Sequence, residues 1–254
     1  MSVERPSLLV VRRFEEEDLT GAEFRECDLS AARLVGVVMQ DAEIDGLVTG
    51  LVVNGVEVMP YVEAELDRRY PVRVLLRSED PADLGVAWGK LQGDWAATVE
   101  RVRSMPEGSE WQGVDGEWSM LETLRHLVFV HDSWFRRCVL GVTEPFTAYG
   151  LGPTDVMDRE PELDPSAEPT LDVVLALRAR HAAQVEEWLA GVTTEQLAQP
   201  APVPDDDRWP PYARGRTVRQ CLGTVLNEEL EHHRFCVRDL DKLSRQDTAH
   251  ERTS

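Results

Sequence analysis

Basic residues are scarce in this chain: 27 Lys and Arg stand against 47 Asp and Glu, a formal net charge of -20 over 254 residues. A surface that acidic repels phosphate backbones and anionic lipid heads, which argues against nucleic acid and membranes as partners. Long apolar runs are absent as well. None reaches the roughly 18 residues of a spanning helix, and the opening MSVERPSLLVVRRFEEEDL lacks the basic start, apolar stretch and small-residue cleavage site of a secretory signal. Cysteine is sparse, and Cys27, Cys138, Cys221 and Cys236 lie far apart with no CxxC pair, so zinc-finger and thioredoxin-type readings fall away. The expectation is a soluble, cytoplasmic protein with reduced thiols, long enough to bury a sizeable core.

Between Leu19 and Ile44 an apolar residue recurs every five positions: Leu19, Phe24, Leu29, Leu34, Met39, Ile44. Two residues before most of them sits a small or slim one: Ala22, Cys27, Ala32, Val37, Ala42. Neither the helical period nor the strand period gives a strict five. With AEF, CDL, ARL and AEI as cores, the stretch resembles pentapeptide repeats, which implies a short quadrilateral β-helix; an irregular β-meander is the alternative. About six repeats make only about one and a half coils, too few to stand alone. Asn54-Gly55 then signals a type I′ hairpin between VV and VEV, Pro60 opens a short helix over YVEAELDRR, and residues 71–82 read as a linker.

From there four long amphipathic helices are expected, at Ala82–Met105, Ser119–Leu140, Thr170–Gly191 and Thr217–Leu243. The second is apolar around most of its circumference, which predicts burial on several sides. The crossover 141–169 is too long for a tight connection and makes a pocket wall or lid. The loop 200–216 precedes the last helix. The fold class is mainly α, a four-helix bundle behind a small β segment. Its parts are a β-rich segment 1–75, the bundle 76–246 and a flexible tail 247–254.

The inward stripe of the fourth helix turns polar at its centre. Glu228 and His232 stand four apart on one face and reach a common point. A buried carboxylate and imidazole call for compensation, which a divalent metal supplies if another helix adds a ligand. His126, among apolar neighbours in ETLRHLVFV, is the candidate. Two nitrogens and one carboxylate oxygen with an open position suit catalytic zinc and related ions. A plain ion pair is the alternative, and Glu229–His233 has the same spacing, so periodicity leaves both frames open. His131 lies about 140° around the helix from His126 and is not expected on the same ion. Cys236 is one turn beyond His232, within reach of a metal, but reads first as core; His181 reads first as structural, with an acid/base facing the cavity as its alternative. Glu122, Arg125 and Asp132 flank His126, the acids as hydrogen-bond partners of its ring or as surface groups. Trp118, Trp134, Phe135 and Trp209 read as packing groups.

Residues 116–140 and 224–240, GEWSMLETLRHLVFVHDSWFRRCVL and TVLNEELEHHRFCVRDL, resemble the DinB-like metalloenzyme superfamily, which includes mycothiol-dependent maleylpyruvate isomerases and bacillithiol transferases. The resemblance implies a four-helix bundle whose metal ligands are a histidine in the second helix and an H/E-x-x-x-H pair in the fourth. These places fall on His126, Glu228 and His232; the all-histidine form would need His at 228. It further implies zinc or nickel, a low-molecular-weight thiol such as mycothiol, and a thiolate that attacks a small electrophile in a transferase or isomerase reaction, with hydrolysis as the nearest variant. A homodimer is open. The alternative from another class is a non-catalytic stress-response or protein-binding module.

Overall fold

Helix signals in the sequence become helices, and the last of them, expected to end at Leu243, runs on to Glu251 through residues expected as the tail. The computed structural model describes residues 12–25 and 27–251, with side chains as far as 245. Residues 1–11 of the expected β-rich segment and 252–254 of the expected tail lie outside the described residues. The chain divides into two units, Met1–Val48 and Thr49–Ser254.

The first unit corrects an expectation. Its described residues contain no strand. The five-residue period survives only as a series of bends: Glu16, Gly21, Ala31, Gly36, Asp41 and Gly46 all have positive φ. Turn bonds such as Ala22 N–H to Leu19 O and Ala32 N–H to Leu29 O, each 3.0 Å, are local. Leu19, Phe24, Leu29, Leu34, Met39 and Ile44 are all exposed. No pentapeptide-repeat β-helix is evident, and the one sheet among the described residues is two strands, neither closed nor curled. The physical reason is length. A coil of a β-helix is stabilised by the coils stacked on it, and fewer than about two coils leave the apolar centres with nothing to bury against.

The second unit opens with that sheet, β1 (Val52–Val53) antiparallel to β2 (Val56–Glu57). Asn54 and Gly55 both take positive φ, 50° and 83°, as the type I′ turn requires. Helix α1 (Met59–Arg69) carries Pro60 in its first turn. The stretch read as a linker contains a further helix, α2 (Val72–Leu76), whose Val72 and Leu76 are buried; its apolar VRVLL docks on the next helix rather than spanning open solvent. The remaining helices are α3 (Pro81–Arg103), α4 (Met120–Val130), α5 (Thr154–Met157), α6 (Leu171–Gly191), α7 (Thr194–Leu197) and α8 (Val218–Glu251). At His131 α4 passes into a π-helix that runs to Val139.

The four long helices form a mainly α-helical bundle. Helix α3 packs on α6 and α8, and α4 packs on the same two, so α3/α4 and α6/α8 are the diagonals. Their starts are fixed by caps. The Asp80 carboxylate accepts from Ala82 N–H at 2.9 Å, Thr170 caps α6, and Ser119 with Glu122 makes a reciprocal capping box on α4; each such cap is worth about 1 kcal/mol. Leu84, Leu91, Leu121, Leu124, Leu222 and Leu226 are at most 1% exposed, each contributing roughly 1.5–3 kcal/mol of burial. Helix α4 is nearly encased: Glu122 and His126 alone in it are not fully buried. Among the described residues, no helix is long and apolar enough to cross a membrane.

Candidate metal centre

His126 sits two turns into α4, where the capping box sets the helix phase. Its Nδ1 lies 3.0 Å from the Leu151 carbonyl oxygen on the crossover. A carbonyl only accepts, so Nδ1 carries the proton and the Nε2 lone pair points away from the loop. That Nε2 faces Glu228 Oε2 at 3.4 Å. From the same helix as Glu228, one turn on, His232 Nε2 reaches the same oxygen at 3.0 Å. One ligand atom from each of the three lies within 4.8 Å of the other two. The side chains are 13%, 36% and 21% exposed, so the cluster is open to one side.

This donor set fits a cation. With a proton on Nδ1, His126 turns Nε2 to the carboxylate oxygen, and a divalent ion among the three atoms would leave the Leu151 carbonyl to orient the ring, as partners of ligating histidines do. Burial works to raise the Glu228 pKa, but the His126 and His232 rings outweigh it and hold the carboxyl at about 2. It is therefore in the ionised form that ligates.

The adjacent frame does other work. The Arg178 guanidinium donates to Glu229 Oε2 at 2.8 Å, both side chains buried, across the α6/α8 diagonal. His233 Nε2 is 2.9 Å from the Thr98 hydroxyl and meets Trp95 edge-on with centroids 4.9 Å apart. Arg178 also lies over the Trp95 ring. Helix α8 thus turns Glu228 and His232 to α4, and Glu229 and His233 to α3 and α6.

Trp118, just ahead of the capping box, stands over the open cluster with its ring 4.9 Å from His126 and 6.3 Å from His232, nearly parallel to the latter at 20°. It is 40% exposed, so it is a wall of the site as well as a packing group. The crossover closes another side. Gly152 lies so near Phe129 that an added Cβ would come within 2.9 Å of the ring, and this close approach is what brings the Leu151 carbonyl to His126. Arg125 donates from Nε to Tyr149 O at 3.1 Å and so anchors the crossover. Glu122 is used up in the cap, its carboxylate accepting from Ser119 N–H at 2.8 Å. The loop 200–216 packs on the crossover, where Arg208 pairs with Glu160 and Glu162. A cleft of about 410 Å³ between them is lined by Glu144, Arg159 and Trp209 among others, and by none of the three clustered residues.

Three residues assigned no joint role by sequence reasoning form a second cluster: His131, Asp132 and His181, all buried. No spacing rule links residue 131 to residue 181; the available signal was a polar pair at the centre of the most apolar helix. Cys236 joins neither cluster, and burial, reinforced by Asp239, pushes its thiol up to about 12. Trp134 and Phe135 are core. The donors of the open cluster do not discriminate a thiol from water, so the geometry does not support thiol transferase as a description of the site.

The family model described as DinB superfamily matches residues 90–236, from within α3 through the Glu228–His232 turn of α8. No curated protein and no solved structure matches the chain.

Proposed function

We propose that this chain, which belongs to the DinB superfamily, is a metal-dependent enzyme whose ion is held by His126, Glu228 and His232 and whose substrate is a small electrophile. The observation that supports this reading is the convergence of two Nε2 atoms on one ionised carboxylate oxygen at 3.4 and 3.0 Å in a cluster open on one side. A zinc or nickel ion bound there supplies Lewis acidity and favours loss of a proton from a thiol or water placed beside it.

The chain's own groups do the rest. The Leu151 carbonyl fixes the His126 tautomer. The Glu228 carboxylate offsets positive charge on the open side of the bundle. The Trp118 face and the crossover shield the reacting atoms from bulk water and offer a flat apolar wall to a conjugated substrate. In the thiol form of the reaction, the thiolate of a small thiol such as mycothiol forms a C–S bond as the π bond of an activated double bond or a ring C–O bond of an epoxide breaks, and the proton lost by the thiol is returned to the resulting carbanion or alkoxide. Release of the adduct makes a transferase; reversal after bond rotation makes an isomerase. Water in place of the thiol, opening the ring C–O bond of an epoxide to give a diol, makes a hydrolase.

The test is the metal content of untagged protein by elemental mass spectrometry, beside His126→Ala and His232→Ala. The expected result is one equivalent fewer in each variant than in the wild type, together with metal-dependent loss of free thiol when thiol and electrophile are supplied. Variants that hold as much metal as the wild type, or a wild type that takes none on reconstitution, overturn the reading. A second reading, a non-catalytic binding module, draws on the exposed series Leu19 to Ile44; a metal-free protein with a stable protein partner is its outcome.

A further inference from the structure

We infer that the buried cluster of His131, Asp132 and His181 is a second metal site, closed and structural, which takes a borderline divalent ion such as zinc or cobalt and ties the start of the π-helix to α6. The inference stands apart from the reading of the open cluster. One ligand atom from each residue lies within 4.8 Å of the others. His131 is 2%, Asp132 0% and His181 8% exposed.

A core histidine placed for structure alone satisfies its ring nitrogens. Here both nitrogens of His131 and Nδ1 of His181 are buried without a hydrogen-bond partner, in a class of atoms that native cores almost always pair. The two rings stack at 3.9 Å and 9°, with His181 Nε2 3.4 Å from Asp132 Oδ1. Asp132 is oriented by Arg136, which donates to Oδ1 at 2.9 Å, and by the Thr147 N–H and hydroxyl on Oδ2, each 3.0 Å. This is how a ligating carboxylate is held; Oδ2 is filled by its two Thr147 donors, and Oδ1, with Arg136 alone donating to it, keeps a lone pair to spare.

The backbone adds an independent observation. The helix switches from α to π at His131 itself, and π segments are rare and concentrate at functional sites. The charge balance is workable. Arg136, Arg178 and Arg180 are the cations that act on His181; Asp132 faces the first and Glu229 pairs with the second. A two-nitrogen, one-oxygen set favours zinc, cobalt, nickel or copper over magnesium and calcium. With every donor buried, no position faces a substrate, so the role is to stabilise.

The experiment uses full-length His126→Ala/His232→Ala protein, in which the open cluster is disabled, titrated with cobalt(II). The expected result is one equivalent bound, a Tm that rises with cobalt, and an affinity that falls by at least about tenfold when His181→Gln is added. No cobalt bound, or an unchanged affinity in a folded triple variant, overturns the site. Should the triple variant not fold, proton NMR of the cobalt-loaded double variant decides: paramagnetically shifted resonances from both the His131 and His181 rings support the site, and fewer than two shifted rings overturn it.

Discussion

Two histidine–carboxylate clusters hang on one helix, with His126 and His131 five residues apart, and they differ in every respect except composition. The open cluster draws its partners from α8, keeps partial exposure, and has an indole over its mouth. The closed one draws its third member from α6 and lies wholly in the core. In the first, Nδ1 of the α4 histidine is tied to a carbonyl and Nε2 is aimed; in the second, both ring nitrogens of the α4 histidine are unspent. The same residue types acquire different surroundings from what lies outside them: a cluster that solvent reaches is open to an exchangeable ligand, and one that it does not reach is closed to it.

The contrast between reactive and structural roles is sharpest between adjacent residues of α8. Replacing Glu229 by Ala strands a buried Arg178 guanidinium, and the loss of a buried partner of this kind costs about 3–5 kcal/mol. A large fall in the urea midpoint is expected, with metal still bound at the open cluster in whatever fraction remains folded. Glu228→Ala should do the reverse: metal affinity at the open cluster down by at least about tenfold, stability of the metal-free protein within about 1 kcal/mol, because that side chain is 36% exposed. If the two variants behave alike in chemical denaturation and metal titration, the division of labour between the frames is wrong.

Trp118→Ala separates metal holding from substrate holding. Metal content should be unchanged, since the indole contributes no ligand, while kcat/KM for a conjugated electrophile falls about tenfold, equivalent to about 1.4 kcal/mol. A loss of metal in this variant would make the indole part of the ligand scaffold instead. Thr98→Val is a milder probe of the structural frame. It removes the hydroxyl 2.9 Å from His233 Nε2, for a loss of about 1 kcal/mol in thermal or urea unfolding and no change in metal content.

Most of the bundle was legible from the chain alone, because four helices with apolar residues at threes and fours have one economical way to bury them. The open cluster was legible for a related reason: Glu228 and His232 declare their common face through a spacing of four, and His126 through its apolar surroundings. The frame was not, since Glu229–His233 repeats the spacing and only the position of Arg178 and Thr98 on other helices separates the two. The closed cluster was illegible because it rests on a contact between residues fifty positions apart and on a switch to π geometry at His131 that leaves no compositional mark. The period of five from Leu19 to Ile44 misled in the opposite direction. It is real in the backbone as bends, but a repeat specifies a β-helix only when enough coils stack.

The smallest effect concerns the thiols, and it tests whether the open cluster is a nitrogen–oxygen site. Cys236 is one turn past His232, a place from which a fourth ligand might have been drawn from spacing alone. It is buried, belongs to neither cluster, and its thiol is pushed up to about 12. A thiolate ligand would give cobalt(II)-loaded protein an intense sulfur-to-metal charge-transfer band in the near ultraviolet, and Cys236→Ser would abolish it. The expected spectrum lacks that band, and the variant keeps its metal and its activity. In the same preparation a thiol reagent should modify the exposed Cys27 at once and the buried Cys138, Cys221 and Cys236 only on unfolding. Slow modification of Cys236 that metal protects against would place sulfur in the site and replace the two-nitrogen, one-oxygen set from which the proposed reaction was argued.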